Sequence, residues 1–101
     1  MSKLNNIKKH QEYQVYGLST FPKGGQLLYR FKNNYGASII FHFGSYGFEQ
    51  GLLELAVIKW TKDEWHLCYE TEIADDVLGY LTIEEVENLL DKIKNLKEEV
   101  R

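Results

Sequence analysis

The stretch from Leu52 to Trp60 constrains the fold more than any other part of this chain. In an extended conformation Leu53, Leu55 and Val57 fall on one face, and Leu52, Ala56, Ile58 and Trp60 on the other. Successive side chains of a strand alternate between two faces, so a strand that is apolar on both needs cover on both and a neighbour on each side. It is expected to be a central strand. The flanking segments supply its neighbours. Before it, Leu27, Tyr29 and Phe31 alternate with Leu28, Arg30 and Lys32. Asn33-Asn34-Tyr35-Gly36 then forms a turn, since Asn and Gly accept the positive φ of a tight hairpin. Ala37, Ile39, Phe41 and Phe43 share one face of the returning strand. After it, Thr61-Lys62-Asp63-Glu64 turns the chain. Trp65, Leu67 and Tyr69 then alternate with His66, Cys68 and Glu70, so that Trp60 and Trp65 face each other across the hairpin.

The C-terminal part reads as a helix. Thr82-Ile83-Glu84-Glu85 is a capping box, with Leu81 and Val86 spaced as a hydrophobic staple. Ile83, Val86, Leu90, Ile93 and Val100, with Leu89 and Leu96 beside them, form one apolar stripe. Acids open this segment and lysines close it, which complements the helix dipole. The connections between strands suit hairpins and are too short for parallel crossovers. The expected fold is therefore α+β: an antiparallel meander of four to five strands with one amphipathic C-terminal helix on one face. With 101 residues the chain is expected to be a single domain, 1–101. Residues 1–12 read either as a flexible arm or as a short helix, residues 13–21 as a weak edge strand, and Pro22-Lys23-Gly24-Gly25 as a turn.

Charge is unevenly distributed. Residues 1–50 hold six Lys or Arg and two acids, and residues 51–101 six Lys or Arg and thirteen acids, for a net charge of −3. From Asp63 to Asp91 there are ten acids and no Lys or Arg, which argues against direct nucleic-acid binding. No apolar run approaches the roughly 20 residues of a membrane span. One cysteine rules out an intrachain disulfide framework and a multi-cysteine zinc site. The N-terminus lacks the apolar core of a signal peptide, so a cytoplasmic location is expected.

Few residues suggest chemistry. Cys68 lies mid-strand with no basic neighbour to activate it and reads as a structural thiol. His66 and Cys68 share a strand face, but a closed zinc site needs four ligands, and the paired spacings are missing. Neither a metal nor a cofactor is expected, and no catalytic dyad or triad is evident. Binding residues are more promising. Glu70, Glu72, Asp75 and Asp76 cluster before the helix, either as a solvated acidic loop or as a charged docking face. Tyr46 and Phe48 sit on the glycine-flexed loop Gly44–Gly51, either as exposed interface anchors or folded back onto the sheet. Tyr35 is counted with them. A homodimer through an uncovered sheet face is a further expectation, because one helix is narrow for five strands.

At Tyr35-Gly36-Ala37-Ser38, Glu54-Leu55-Ala56-Val57 and Asp75-Asp76-Val77-Leu78-Gly79-Tyr80-Leu81-Thr82, the chain resembles a group of short bacteriophage- and prophage-encoded proteins. The resemblance runs from about Leu28 to Leu96 and leaves out the first 25 residues. It implies a small non-enzymatic accessory protein acting in the bacterial host cell, of the kind that binds host proteins and inhibits defence systems. The alternative expectation is a small-molecule sponge for a nucleotide signal.

Overall fold

A computed structural model describes residues 3–21 and 25–97. The fold is α+β, with an antiparallel sheet packed against one C-terminal helix. Its strands are β1 (Gln14–Val15), β2 (Gln26–Arg30), β3 (Tyr35–Ile40), β4 (Leu53–Thr61), β5 (Glu64–Leu67) and β6 (Leu78–Leu81), and its helix is α1 (Ile83–Lys94). The order is β1-β2-β3-β4-β5, with β6 also paired to β4. The doubly apolar segment is the central strand. β3 lies along one side of β4, while the other side is shared, β5 pairing with its C-terminal half and β6 with its N-terminal half. The sixth strand comes from Leu78–Leu81, a segment for which the sequence pattern predicts no element.

The two faces of the sheet are unequal. On one, Tyr29, Phe31, Ala37, Ile39, Leu53, Leu55 and Val57 meet Val86, Leu90 and Ile93 of α1, all buried. Burying a side chain of this size contributes about 1.5–3 kcal/mol each, so this face carries most of the stability. The capping box is formed: the Thr82 hydroxyl accepts from the Glu85 amide at 3.1 Å, and the Glu85 carboxylate accepts from the Thr82 amide at 3.0 Å. The far end of α1 is closed by Asn33, whose side-chain amide donates to the carbonyls of Ile93, Lys94 and Leu96 at 2.8–3.1 Å.

The first residues are part of this layer. Lys3–Asn6 is a 3₁₀ turn, and Leu4 and Ile7 are buried in the helix-side core. The segment after it is clamped to α1. The Lys8 and Lys9 amides donate to Glu87 Oε2, and Lys9 Nζ and His10 Nε2 meet Asp91 at 2.8 and 2.7 Å. Residues 22–24 and Val100, read as a turn and as the end of the helical stripe, lie outside the described residues.

The other face holds a smaller cluster, Leu28, Ile58 and Trp60, with Val15 and Trp65 against it. Trp60 and Trp65 are direct cross-strand partners. Gly36 on β3 leaves room for the Trp60 indole, whose N–H donates to the Tyr29 carbonyl on β2 at 2.9 Å. A Cβ at position 36 would stand 1.8 Å from that carbonyl oxygen and 2.9 Å from the indole nitrogen. Backbone cannot yield as a side chain can, so Gly36→Ala is expected to cost about 3 kcal/mol in urea denaturation, at the upper end for overpacking.

A second expectation concerns the N-terminal clamp. Hydrogen bonds from Lys9 and then His10 hold the Asp91 carboxyl below its usual pKa of 3.8. A carboxyl with a lowered folded pKa contributes stability that is present above its unfolded value and lost as pH falls through the folded one. The protection factors of the amides of residues 4–9, taken relative to intrinsic exchange at each pH, should therefore fall as pH is lowered below about 3.8, earlier than those in β3 and β4. Equal protection of both regions throughout that range would contradict it.

Candidate functional site

The sheet face without the helix carries a depression of about 320 Å³. Its floor is Ser38 and Ala56 on neighbouring strands, with Gln26 beside them on β2. Gln26 and Ser38 are the two buried polar side chains of the described core. The Gln26 amide nitrogen donates to Ser38 Oγ at 2.8 Å, while its oxygen accepts from Ser19 Oγ and from the amide and hydroxyl of Thr20. This one side chain therefore ties the 19–21 segment to the floor. Ile40, Phe21, Trp65, Leu67, Tyr69 and Val77 form apolar walls, with Tyr46 and Glu54 at one end. Among the described residues Glu54 is the only charged member of the lining, and no described Lys or Arg takes part.

Next to Glu54 stands an aromatic ridge. The Tyr46 amide donates to Glu54 Oε1 at 3.0 Å, and the Tyr46 ring stacks on that of Tyr80 with centroids 6.5 Å apart and planes 19° from parallel. Both rings are more than half exposed. Gly79 permits the pairing, because a Cβ there would come within 2.5 Å of Tyr46 Cβ. Tyr80 holds a left-handed φ of +56°, which is uncommon for an aromatic residue, and it lies on a strand with a register irregularity against β4. Such strain persists only where surrounding structure holds it in place, and it gathers at functional positions.

The residues singled out from the sequence reach different places. Tyr46 is on the ridge. Phe48 is not, for it is half-buried against Phe41, with ring centroids 4.8 Å apart. Its place as an exposed aromatic is taken by Phe43, 82% exposed. β3 ends at Ile40, and the Ser45 amide donates to the His42 carbonyl in a turn that throws Phe43 outward rather than leaving it on the strand face. Tyr35 must be corrected outright. It is buried in the helix-side core, its ring 5.0 Å from the Lys59 ammonium, and it presents no binding surface. Sequence reading missed Tyr80 and Phe43. The signal for Tyr80 was Gly79, a glycine inside a strand, which marks a close approach of another element.

Glu70, Glu72, Asp75 and Asp76 are all exposed on the connection between β5 and β6. That connection is pinned beneath by Cys68 and Ile73 against the helix-side core and by buried Ala74, so its acids are held outward. They are not gathered on one side. Asp76, which accepts from the Val77 amide, lies beside the depression, and with Glu54 it adds to the burial that raises the Tyr69 hydroxyl pKa. Glu72 instead borders a groove of about 530 Å³ between the connection and α1, on the opposite face of the sheet. Cys68 is half-buried, and His66 is exposed. Among the described residues no group of three or more His, Cys, Asp or Glu side chains converges to hold a metal ion, and no helix is long and apolar enough to cross a membrane.

The strained Tyr80 offers a check on this geometry. Asn tolerates the left-handed region where Tyr does not, so Tyr80→Asn is expected to remain within about 1 kcal/mol of the wild-type stability although an aromatic stack is lost. Thermal denaturation of that variant beside Tyr80→Ala, which relieves no strain and should fall further, measures it. Comparison of the chain with protein-family models, with curated proteins and with solved structures finds no match, so the functional reading rests on the chemistry of the site.

Proposed function

We propose that this chain is a non-enzymatic binding protein that docks on a partner protein through the helix-free face of its sheet. One observation carries the reading: an apolar depression about the size of a large side chain, flanked by exposed aromatic rings and carboxylates. A partner that fits would insert an aliphatic or aromatic anchor over Ala56 and Ser38 and set basic residues against Glu54, Asp75 and Asp76. Aromatic-walled pockets concentrate binding energy at their centre, and surrounding charges set approach rate and specificity. Given the resemblance to phage and prophage accessory proteins, the partner is a host protein met in the bacterial cytoplasm, and a basic nucleic-acid-handling surface of a defence system has the matching charge.

A second reading is favoured by the Gln26–Ser38 pair, a neutral polar group set among apolar walls as in many small-molecule sites. A neutral ligand suits it. An anionic nucleotide signal suits it less, because the described lining offers a carboxylate and, among the described residues, no Lys or Arg.

The test is a pull-down from host lysate with the tagged protein at low and high salt, read by mass spectrometry. A single protein is expected to be retained at low salt. It should be lost at high salt, with joint charge reversal of Asp75 and Asp76, and with Ala56→Leu, which fills the depression from its floor. Retention unchanged in both variants, each with a wild-type circular dichroism spectrum, would remove the docking model. A small molecule that co-purifies with wild type and is lost from Ala56→Leu alone would establish the second reading.

A further inference from the structure

We propose that two copies of this chain pair through the outer edges of their β5 strands, antiparallel and centred on His66. The argument begins with hydrogen-bond direction. In an antiparallel pair, opposed residues alternate between those that bond each other and those that bond outward. The Cys68 amide donates to the Val57 carbonyl at 2.9 Å, and the register pairs Ile58 with Leu67, Lys59 with His66, Trp60 with Trp65 and Thr61 with Glu64. Glu64, His66 and Cys68 therefore bond inward to β4. Trp65 and Leu67 direct their N–H and C=O groups away from it, to an edge that no other strand of the described residues covers. β6, which shares that side of β4, pairs only with its other half.

Unpaired strand edges invite another strand, and natural edges are blunted by proline, bulges or inward charges. Between Glu64 and Leu67 there is no proline and no register shift against β4, and Glu64 is the one Asp, Glu, Lys or Arg of the strand. Leu67 is an aliphatic side chain 50% exposed beside this open backbone.

What fits the edge is decided by the strand's own sequence. Outward bonding by Trp65 and Leu67 requires that these residues pair with the outward-bonding residues of the incoming strand. For a second copy this leaves three nearby registers. Centred on Trp65, the pairing sets Asp63 against Leu67. Centred on Leu67, it opposes Glu64 to Glu70. Centred on His66, it places Trp65 of each copy against Leu67 of the other on the helix-free face. That register also brings Lys62 of each copy level with Glu70 of the other, and both residues are exposed. An aromatic–aliphatic pair and an opposite-charge pair, each occurring twice by symmetry, make the strand complementary to itself. The product is one continuous sheet whose two depressions lie side by side on a common face, a bivalent docking surface.

Sedimentation equilibrium of the full chain from about 1 µM to about 1 mM, a range chosen to span weak to moderate self-affinity, tests this. A reversible monomer–dimer equilibrium is expected. Leu67→Pro removes an outward N–H while leaving the bonds to β4, so it should remain folded and become monomeric. Lys62→Glu and Glu70→Lys should each weaken the dimer about tenfold, and the two together should restore it, because each reads the other across the interface. Amide exchange at Trp65 and Leu67 should slow as concentration rises, with no change at His66. A monomer throughout the range would overturn the proposal. So would a dimer indifferent to Leu67→Pro, or a charge swap that fails to restore pairing. Should Leu67→Pro not fold, the charge swap and the amide exchange decide alone.

Discussion

The Trp60 side chain holds the strand registers together. It stands on β4, crosses β3 where Gly36 has no side chain, and hydrogen-bonds the Tyr29 carbonyl on β2. The same ring lies 5.2 Å from the Arg30 guanidinium, and Arg30 in turn donates to the Lys62 carbonyl in the turn between β4 and β5. Three strands, β2 to β4, are thus tied by one indole. A slip of one residue in any of them would turn core side chains to the wrong face, so this tie protects the whole helix-side core and not only its own cluster.

From that arrangement the asymmetry of the molecule follows. One helix, the clamped N-terminal segment and the β5–β6 connection cover one face, and among the described residues the other is covered by its own side chains and the 19–21 segment. Leu28, Ile58, Trp60 and Trp65 fill one end of the open face. Toward the other end the side chains become small, with Ser38 and Ala56, and a depression forms there for want of bulk. Its position beside the Tyr46–Tyr80 ridge is no accident of loops. Gly79 draws the ridge close, and the left-handed backbone at Tyr80 holds the ring up to solvent. The depression and the sheet edge meet at Trp65 and Leu67, which belong to both.

Much of this was legible beforehand. Alternation identified β2 to β5 because each strand has one face that must be apolar, and period 2 survives any detail of packing. The helix start was legible because a capping box is local chemistry between Thr82 and Glu85. β6 was not, since Leu78-Gly79-Tyr80-Leu81 is short, carries a glycine and a positive φ, and is a strand only because half of β4 was left without a partner. The residues of the candidate site were partly legible. Exposed acids could be counted on the 70–76 segment, but whether Phe43 or Phe48 faced solvent depended on where β3 ended. Tyr35 was misplaced for a related reason: an aromatic beside Asn-Asn in a turn looks exposed, yet it is the first residue of β3 and faces the helix.

The sequence by itself determined the periodicity, the turn positions, the helix cap and the surplus of carboxylates, because each of these is set by residues a few positions apart. Only the tertiary structure decided which face stayed open, that Tyr80 would stack on Tyr46, that Gln26 and Ser38 would floor a depression, and that Trp65 and Leu67 would turn their backbone bonds outward. Those features join residues from 12 to 34 positions apart through strand register. Register is a property of how the whole sheet closes over its core, which no local pattern contains.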